Sequence, residues 1–211
     1  MKLGIIDSAG GNVGSVLKAF RKLGLSPVVV SHPSDISSLD SLVLPGVGNF
    51  TAQARTICTP AWRSAISQVL NQRFGCLLGI CVGMQLLAEA GEEGAAPDCP
   101  TPGLSLVYGS VQRLSSAGCR LRLPHVGWNS VRYVREDPLF RGIPSGTDFY
   151  FVHSYGVMPC VTNTTIAVVD YEVEITAAVC RDRVWGVQFH PEKSSDAGLA
   201  LLRNFISQSQ C

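Results

Sequence analysis

Four short apolar runs in the first eighty residues restrict the fold most. KLGIID (2–7), PVVVS (27–31), SLVLPG (41–46) and GCLLGI (75–80) are bounded by Gly, Pro or Asp, and such runs make buried strands. Between the first two, Val13, Val16, Leu17, Phe20 and Leu23 recur at three- and four-residue spacing, the period of a helix with one apolar face. A helix with some irregularity is expected over much of 51–72, and another over 82–90. Strands alternating with helices predict a doubly wound, mostly parallel α/β sheet covered on both faces.

The texture then changes. Residues 91–103, GEEGAAPDCPTPG, have no period and read as a loop. Beyond it, LSLVYGSVQRL, DFYFVHSYGVM, TIAVVD, ITAAVC and VWGVQFHPE are strand-like, so additional β-strands are expected in the second half. A last helix fits 196–207, with Leu199, Leu202, Phe205 and Ile206 inward. Without an internal repeat or a domain-scale linker, 1–211 reads as a single domain. A chain this long buries roughly 70% of its unfolded surface, so no metal or disulfide is needed for a core.

A net charge of +1 with scattered basic residues argues against a nucleic-acid or membrane partner. The N-terminal apolar run is too short for a secretory signal, and no segment is long enough to span a bilayer. Eight cysteines fall at 58, 76, 81, 99, 119, 160, 180 and 211 without C-x-x-C spacing. Neither zinc nor dithiol chemistry is expected, and reduced thiols in a cytoplasm are the default for seven of them. The stretch A-x-G-x-x-G (9–14) lacks the acidic residue of a dinucleotide site. No cofactor or metal is expected.

Cys81 is the exception among the cysteines. LLGICVGMQLL (77–87) places it between Gly79 and Gly83, after a strand and before a helix, like the serine of a G-x-S-x-G nucleophile elbow. The elbow aims a side chain into the cleft at the carboxyl ends of the strands, beside a helix N-terminus that favours a thiolate. By itself the pattern suits a buried packing cysteine equally well. A nucleophile needs a base, and the base needs an orienting group. His32 sits in a turn, whereas His190 ends an apolar strand and is followed two residues later by Glu192. LPGVGNF (44–50) gives a Gly-rich loop after a strand. Its N–H groups, joined by that of Val82, are candidates for an oxyanion hole, although an ordinary turn reads the same way.

Taken together, PGVG, GICVGMQ and HPE resemble the class I (triad) glutamine amidotransferases. PHVGWN (124–129), YFVHSY (150–155), HPEKS (190–194) and the Gly-Asn at 11–12 narrow the resemblance to the glutaminase subunits of imidazole glycerol phosphate synthase. The match runs from residue 4 to 194. It implies Cys81 as nucleophile, His190 as general base and acid, and Glu192 as its orienter. It further implies Gln85, Ser154 and Tyr155 around the substrate glutamine, and Gly46, Val47 and Gly48 in the oxyanion loop. Asn12, Trp128, Tyr150 and Lys193 match positions facing a (β/α)8-barrel synthase subunit. That partner uses the released ammonia to make imidazole glycerol phosphate and aminoimidazole carboxamide ribotide in histidine biosynthesis. From composition alone Trp128 is a buried core aromatic and Lys193 a solvated loop lysine. The chain departs from the family's frequent Asp-Tyr-Gly, having Ser8 and Ala9 in DSAGGN. A triad glutaminase serving another synthase, such as anthranilate or guanylate synthesis, and a binding module without chemistry are the alternatives.

Overall fold

The computed structural model describes residues 2–8, 11–36, 38–158 and 162–209. Ala9, Cys160 and Cys211 therefore lie outside the described residues, as does the start of the A-x-G-x-x-G stretch.

The elements follow the expected alternation: β1 (Leu3–Ile6), α1 (Val13–Lys22), β2 (Val28–Val30), β3 (Ser41–Gly46), α2 (Phe50–Ile57), α3 (Pro60–Leu70), β4 (Cys76–Cys81) and α4 (Val82–Leu86). Then come β5 (Ala90–Ala96), β6 (Cys99–Pro102), β7 (Ser110–Arg113), β8 (His125–Tyr133), β9 (Thr147–His153), β10 (Tyr155–Met158), β11 (Thr165–Tyr171), β12 (Val173–Arg181), β13 (Val184–Val187) and α5 (Ser195–Gln208).

A nine-stranded sheet runs β2-β1-β3-β4-β13-β12-β11-β8-β9. The strands from β2 to β13 pair in parallel, and those from β13 to β9 antiparallel. The parallel half is the doubly wound part: its central strands β3, β4 and β13 are buried along their whole length, because helices cover both faces. A smaller sheet, β10-β7-β5-β6, lies beside it.

Three local readings change. Residues 91–103 form the β5–β6 hairpin instead of a loop, turning at Pro97–Asp98 with Asp98 at φ 56°. Small residues there leave no hydrophobic period, yet Gly91 packs so closely on Phe50 that a Cβ would come within 2.7 Å of the ring. The helix over 51–72 is two helices. Asn49 caps the first by accepting from the Ala52 N–H, and Thr59 the second by accepting from Trp62, with Pro60 in its first turn. The helix after Cys81 spans five residues, not nine. PVVVS is a strand, but at the sheet edge, so Val28 and Val29 are exposed and only Val30 is buried. In the last helix Leu202 and Phe205 are buried, while Leu199 and Ile206 are partly so.

Candidate active site

Cys81 ends β4, registered opposite Gly46 at the end of β3, with β13 on its other side. Parallel strands ending at one rim bring Cys81, the PGVG loop and His190, just beyond β13, together at the carboxyl edge of the sheet. Cys81 adopts φ 54°, ψ −112°, a left-handed backbone that a non-glycine residue holds only under strain. The flanking glycines permit it. A Cβ on Gly79 would lie 2.6 Å from the Gly83 carbonyl oxygen, and one on Gly83 only 1.7 Å from that of Leu44.

His190 is almost fully buried, and its Nδ1 lies 2.8 Å from Glu192 Oε1, whose side chain has no exposed surface. Burial pulls the pKa downward, but the charge of Cys81 and the hydrogen bond and charge of Glu192 outweigh burial and raise it to about 9. The other ring nitrogen, Nε2, is buried without a hydrogen-bond partner among the described residues. Asn12, beside the first turn of α1, donates to Glu192 Oε1 at 3.0 Å. Cys81 Sγ accepts from Gln188 Nε2 at 3.7 Å and lies 4.0 Å from the Val152 carbonyl.

These residues open onto a cavity of about 150 Å³. It is lined by Cys81 and His190, by Val47, Gly48 and Val82, and by Gln85, Val152, His153, Ser154 and Tyr155. Gln85 Nε2 donates to the Tyr155 carbonyl at 3.0 Å and to Gln188 Oε1 at 3.1 Å, while its own Oε1 is buried and unpartnered among the described residues. Every substrate-side residue inferred from sequence reaches this cavity except Gly46, which lies directly behind it at the end of β3.

Sequence reasoning missed Glu93. It lines the cavity from the hairpin, and its Oε2 accepts the Phe50 N–H at 2.8 Å. Burial raises its pKa, partly offset by that hydrogen bond. Reading 91–103 as a loop hid it. Gln188 was also missed; lying two residues before His190 in the strand-like run, it occupies a place that alternation alone makes ordinary core.

A second buried polar group backs the cavity. His153 Nδ1 meets the Tyr155 carbonyl at 2.8 Å, which can only accept, so Nδ1 carries the proton. His153 Nε2 must then accept from His125 Nδ1 at 3.1 Å, leaving His125 Nε2 to accept from Asn129 Nδ2 at 3.3 Å. His125 is also stacked between Phe151 and Tyr171. Burial lowers the pKa of His125 to about 4 and that of His153 to about 3, so both stay neutral.

Three of the four residues expected to face a partner, Trp128, Tyr150 and Lys193, lie together on the surface. Trp128 is 52% exposed, which overturns the reading of it as core, because β8 turns it outward. It meets Tyr150 on β9 edge-on at 6.2 Å, and Lys193 Nζ sits 5.6 Å from the Tyr150 ring centre. Val126, also exposed, extends the patch along β8.

Comparison with known proteins decides the family. The model of the class-I glutamine amidotransferases matches residues 4–209. The imidazole glycerol phosphate synthase subunit HisH of Moorella thermoacetica is 42% identical over 203 residues, covering 96% of this chain and 93% of the relative. That of Thermococcus kodakarensis is 43% identical over 208 residues, covering 96% and 98%. The chain belongs to the class-I glutamine amidotransferases, within the HisH group. The solved structure of PurLQS from Thermotoga maritima contains a chain that superposes with a TM-score of 0.73. At 16% identity over 98% of this chain and 97% of that one, it shows the common fold alone. Class-I membership and the doubly wound sheet agree with the expectations from sequence.

Proposed function

We propose that this amidotransferase works through a Cys81–His190–Glu192 triad. It hydrolyses glutamine to glutamate and ammonia, and passes the ammonia to a (β/α)8-barrel synthase subunit in histidine biosynthesis. The observation that carries the reading is Cys81 at a strained elbow beside a buried His190–Glu192 pair, both opening onto one cavity.

The Cys81 thiolate attacks the side-chain carbonyl carbon of glutamine, forming a C–S bond and moving the π electrons onto oxygen. N–H groups of Val47, Gly48 and Val82 stabilise that oxyanion, with Gly46 ending the strand that aims the loop. The proton on His190 goes to the amide nitrogen as the C–N bond breaks, so ammonia leaves and a γ-glutamyl thioester remains. His190 then takes a proton from water, which attacks the thioester; glutamate departs and the thiolate is restored. Glu192 holds the imidazole ring throughout. The α-ammonium group of glutamine needs acceptors, and two stand in the cavity wall: the Glu93 carboxylate and the unpartnered Gln85 Oε1. Ser154 and Tyr155 close the pocket around the substrate.

Trp128, Tyr150 and Lys193 would meet the barrel subunit. An exposed Trp128 against a half-buried Tyr150, with a cation beside them, has the composition of an interface anchor. Asn12, the fourth residue expected at that face, is hydrogen-bonded to Glu192, the neighbour of Lys193 in sequence. The remaining expectations are one functional domain over 1–211, no cofactor, and a cytoplasmic location. The six described cysteines are free thiols, and no helix of the described residues is long and apolar enough to cross a membrane.

The test is glutamate release from glutamine by the purified chain, with and without the barrel subunit plus its nucleotide ligand, run beside Cys81→Ser. Strong stimulation that Cys81→Ser abolishes is the expected result. Turnover surviving that substitution overturns the triad, and stimulation only by another synthase's subunit reassigns the pathway.

A further inference from the structure

Ser8, just beyond the end of β1, turns its side chain inward. It is 2% exposed, and its hydroxyl lies 3.1 Å from Gln53 Oε1 and 3.3 Å from the Pro45 carbonyl. Gln53, on α2 and 5% exposed, uses its other end to donate from Nε2 to the Val47 carbonyl. Gly11 packs on the same place, where a Cβ would come within 3.1 Å of the Pro45 carbonyl and 3.3 Å of Ser8 Oγ. A buried glutamine amide that donates at one end and accepts at the other has a fixed orientation, since a flip would set two carbonyl oxygens against each other.

A carbonyl oxygen facing the oxyanion position would repel the charge that develops there, whereas an N–H would stabilise it. Because the peptide unit is planar, fixing one carbonyl also fixes the N–H of the next residue on the opposite side. Gln53 is not part of the cavity wall, although Val47 and Gly48 are, so it engages the loop from behind.

We propose that Gln53, itself oriented by Ser8, is a positioning residue for the oxyanion loop, holding the Val47 carbonyl away from the reacting carbon so that the loop presents N–H groups. This rests on the reading of Gly46–Gly48 as that loop. Ser8 and Gln53 touch neither the substrate nor Cys81; they act through the Val47–Gly48 peptide.

The experiment uses the chain in complex with its barrel subunit. It compares wild type with Gln53→Met, which keeps the bulk but loses both hydrogen-bonding ends, and with Ser8→Ala. Three readouts are taken: kcat and KM for glutamine, alkylation of Cys81 by iodoacetamide, and inhibition by a glutamine analogue carrying an aldehyde in place of the carboxamide. The Cys81 thiol adds across that aldehyde, forming a C–S bond and an oxygen that occupies the oxyanion position, while alkylation needs no oxyanion. Deleting an oxyanion donor outright costs about 10²–10³-fold in kcat, so a displaced loop in Gln53→Met should cost roughly 10- to 100-fold. Aldehyde affinity should fall in parallel, with KM and alkylation unchanged. Ser8→Ala should lose less, and the double variant no more than Gln53→Met.

If kcat and aldehyde affinity are unchanged in both variants, the proposal is wrong. It is equally wrong if alkylation and KM shift along with them, since that is general disruption of the site. If the wild type binds the aldehyde no better than glutamine, the loop assignment itself fails. Tight wild-type binding that Gln53→Met leaves intact keeps the loop assignment and removes only the role of Gln53.

Discussion

Glu192 offers a single oxygen, Oε1, to both His190 and Asn12, while its Oε2 is buried without a partner among the described residues. A carboxylate so placed has its rotation fixed mainly by Asn12, so the amide transmits its own position to the imidazole ring. Hydrogen bonds to charged groups contribute about 1.5–3 kcal/mol, so Asn12→Ala should lower kcat roughly 10- to 100-fold. KM for glutamine should hold, because Asn12 does not line the cavity. Steady-state kinetics at saturating barrel subunit separate this from lost docking; a variant fully restored by excess partner would show that Asn12 acts only in association. Glu93 is the opposite case. As a proposed acceptor for the substrate's ammonium group, it lines the cavity without a hydrogen bond to Cys81, His190 or Glu192 among the described residues, so Glu93→Gln should raise KM about tenfold or more and spare kcat. An unchanged KM would remove Glu93 from substrate binding.

The strand–elbow–helix element around Cys81 depends on absent side chains. A Cβ at position 83 would sit 1.7 Å from the Leu44 carbonyl oxygen, and both atoms belong to backbone with no room to relax. Gly83→Ala should therefore exceed the usual 1–3 kcal/mol of overpacking, reaching about 3 kcal/mol or more. Thermal melting would show this, and a variant melting within a degree or two of wild type would mean that β3 and the elbow are looser than described. This element was also the most legible in the sequence, because G-x-C-x-G between an apolar run and a helical one states both spacing and geometry. The positions of His190 and Glu192 were readable from the proline that follows the apolar run, although β13 itself stops at Val187 and His190 caps the short turn after it. The β5–β6 hairpin was not: its residues are too small to carry a period, and it is held by packing on α2 and pairing with β7, which are contacts distant in sequence. Glu93 was hidden for the same reason, as was Gln53, whose meaning depends on Ser8 forty-five residues away. Trp128 was misjudged from composition because the outward face of β8 is fixed only once β9 and β11 are paired to it.

Across the whole molecule, three buried histidines set the stability in opposite directions from the same starting point. His190 moves from the ordinary 6.5 to about 9 in the folded chain, through Cys81 and Glu192 acting against burial. Its contribution is fully present below pH 6.5 and is lost as pH rises from there through about 9, since the unfolded ring no longer binds the proton that the folded one must give up. His125 and His153 move the other way, from 6.5 to about 4 and about 3 by burial. Between those values and 6.5 the unfolded chain binds protons that the folded chain refuses, so their contribution is present above 6.5 and declines as pH falls. The two windows meet at the unperturbed histidine value, and the melting temperature should therefore peak near neutrality. Carboxylates titrate mostly below about pH 5, so the slope between 6.5 and 5 reports mainly the histidine pair. Each kcal/mol lost should lower Tm by about 2–4 °C in a chain of this size. Melting curves at half-unit steps from pH 5 to 9 test this. A profile flat from 5 to 6.5 would mean that His125 and His153 accept protons in the folded state, and the one-way hydrogen-bond chain from Asn129 to Tyr155 would have to be abandoned. The activity profile carries the matching signature: in the proposed mechanism acylation draws its proton from the His190 imidazolium, so kcat/KM for glutamine should hold through neutrality and fall as pH passes about 9.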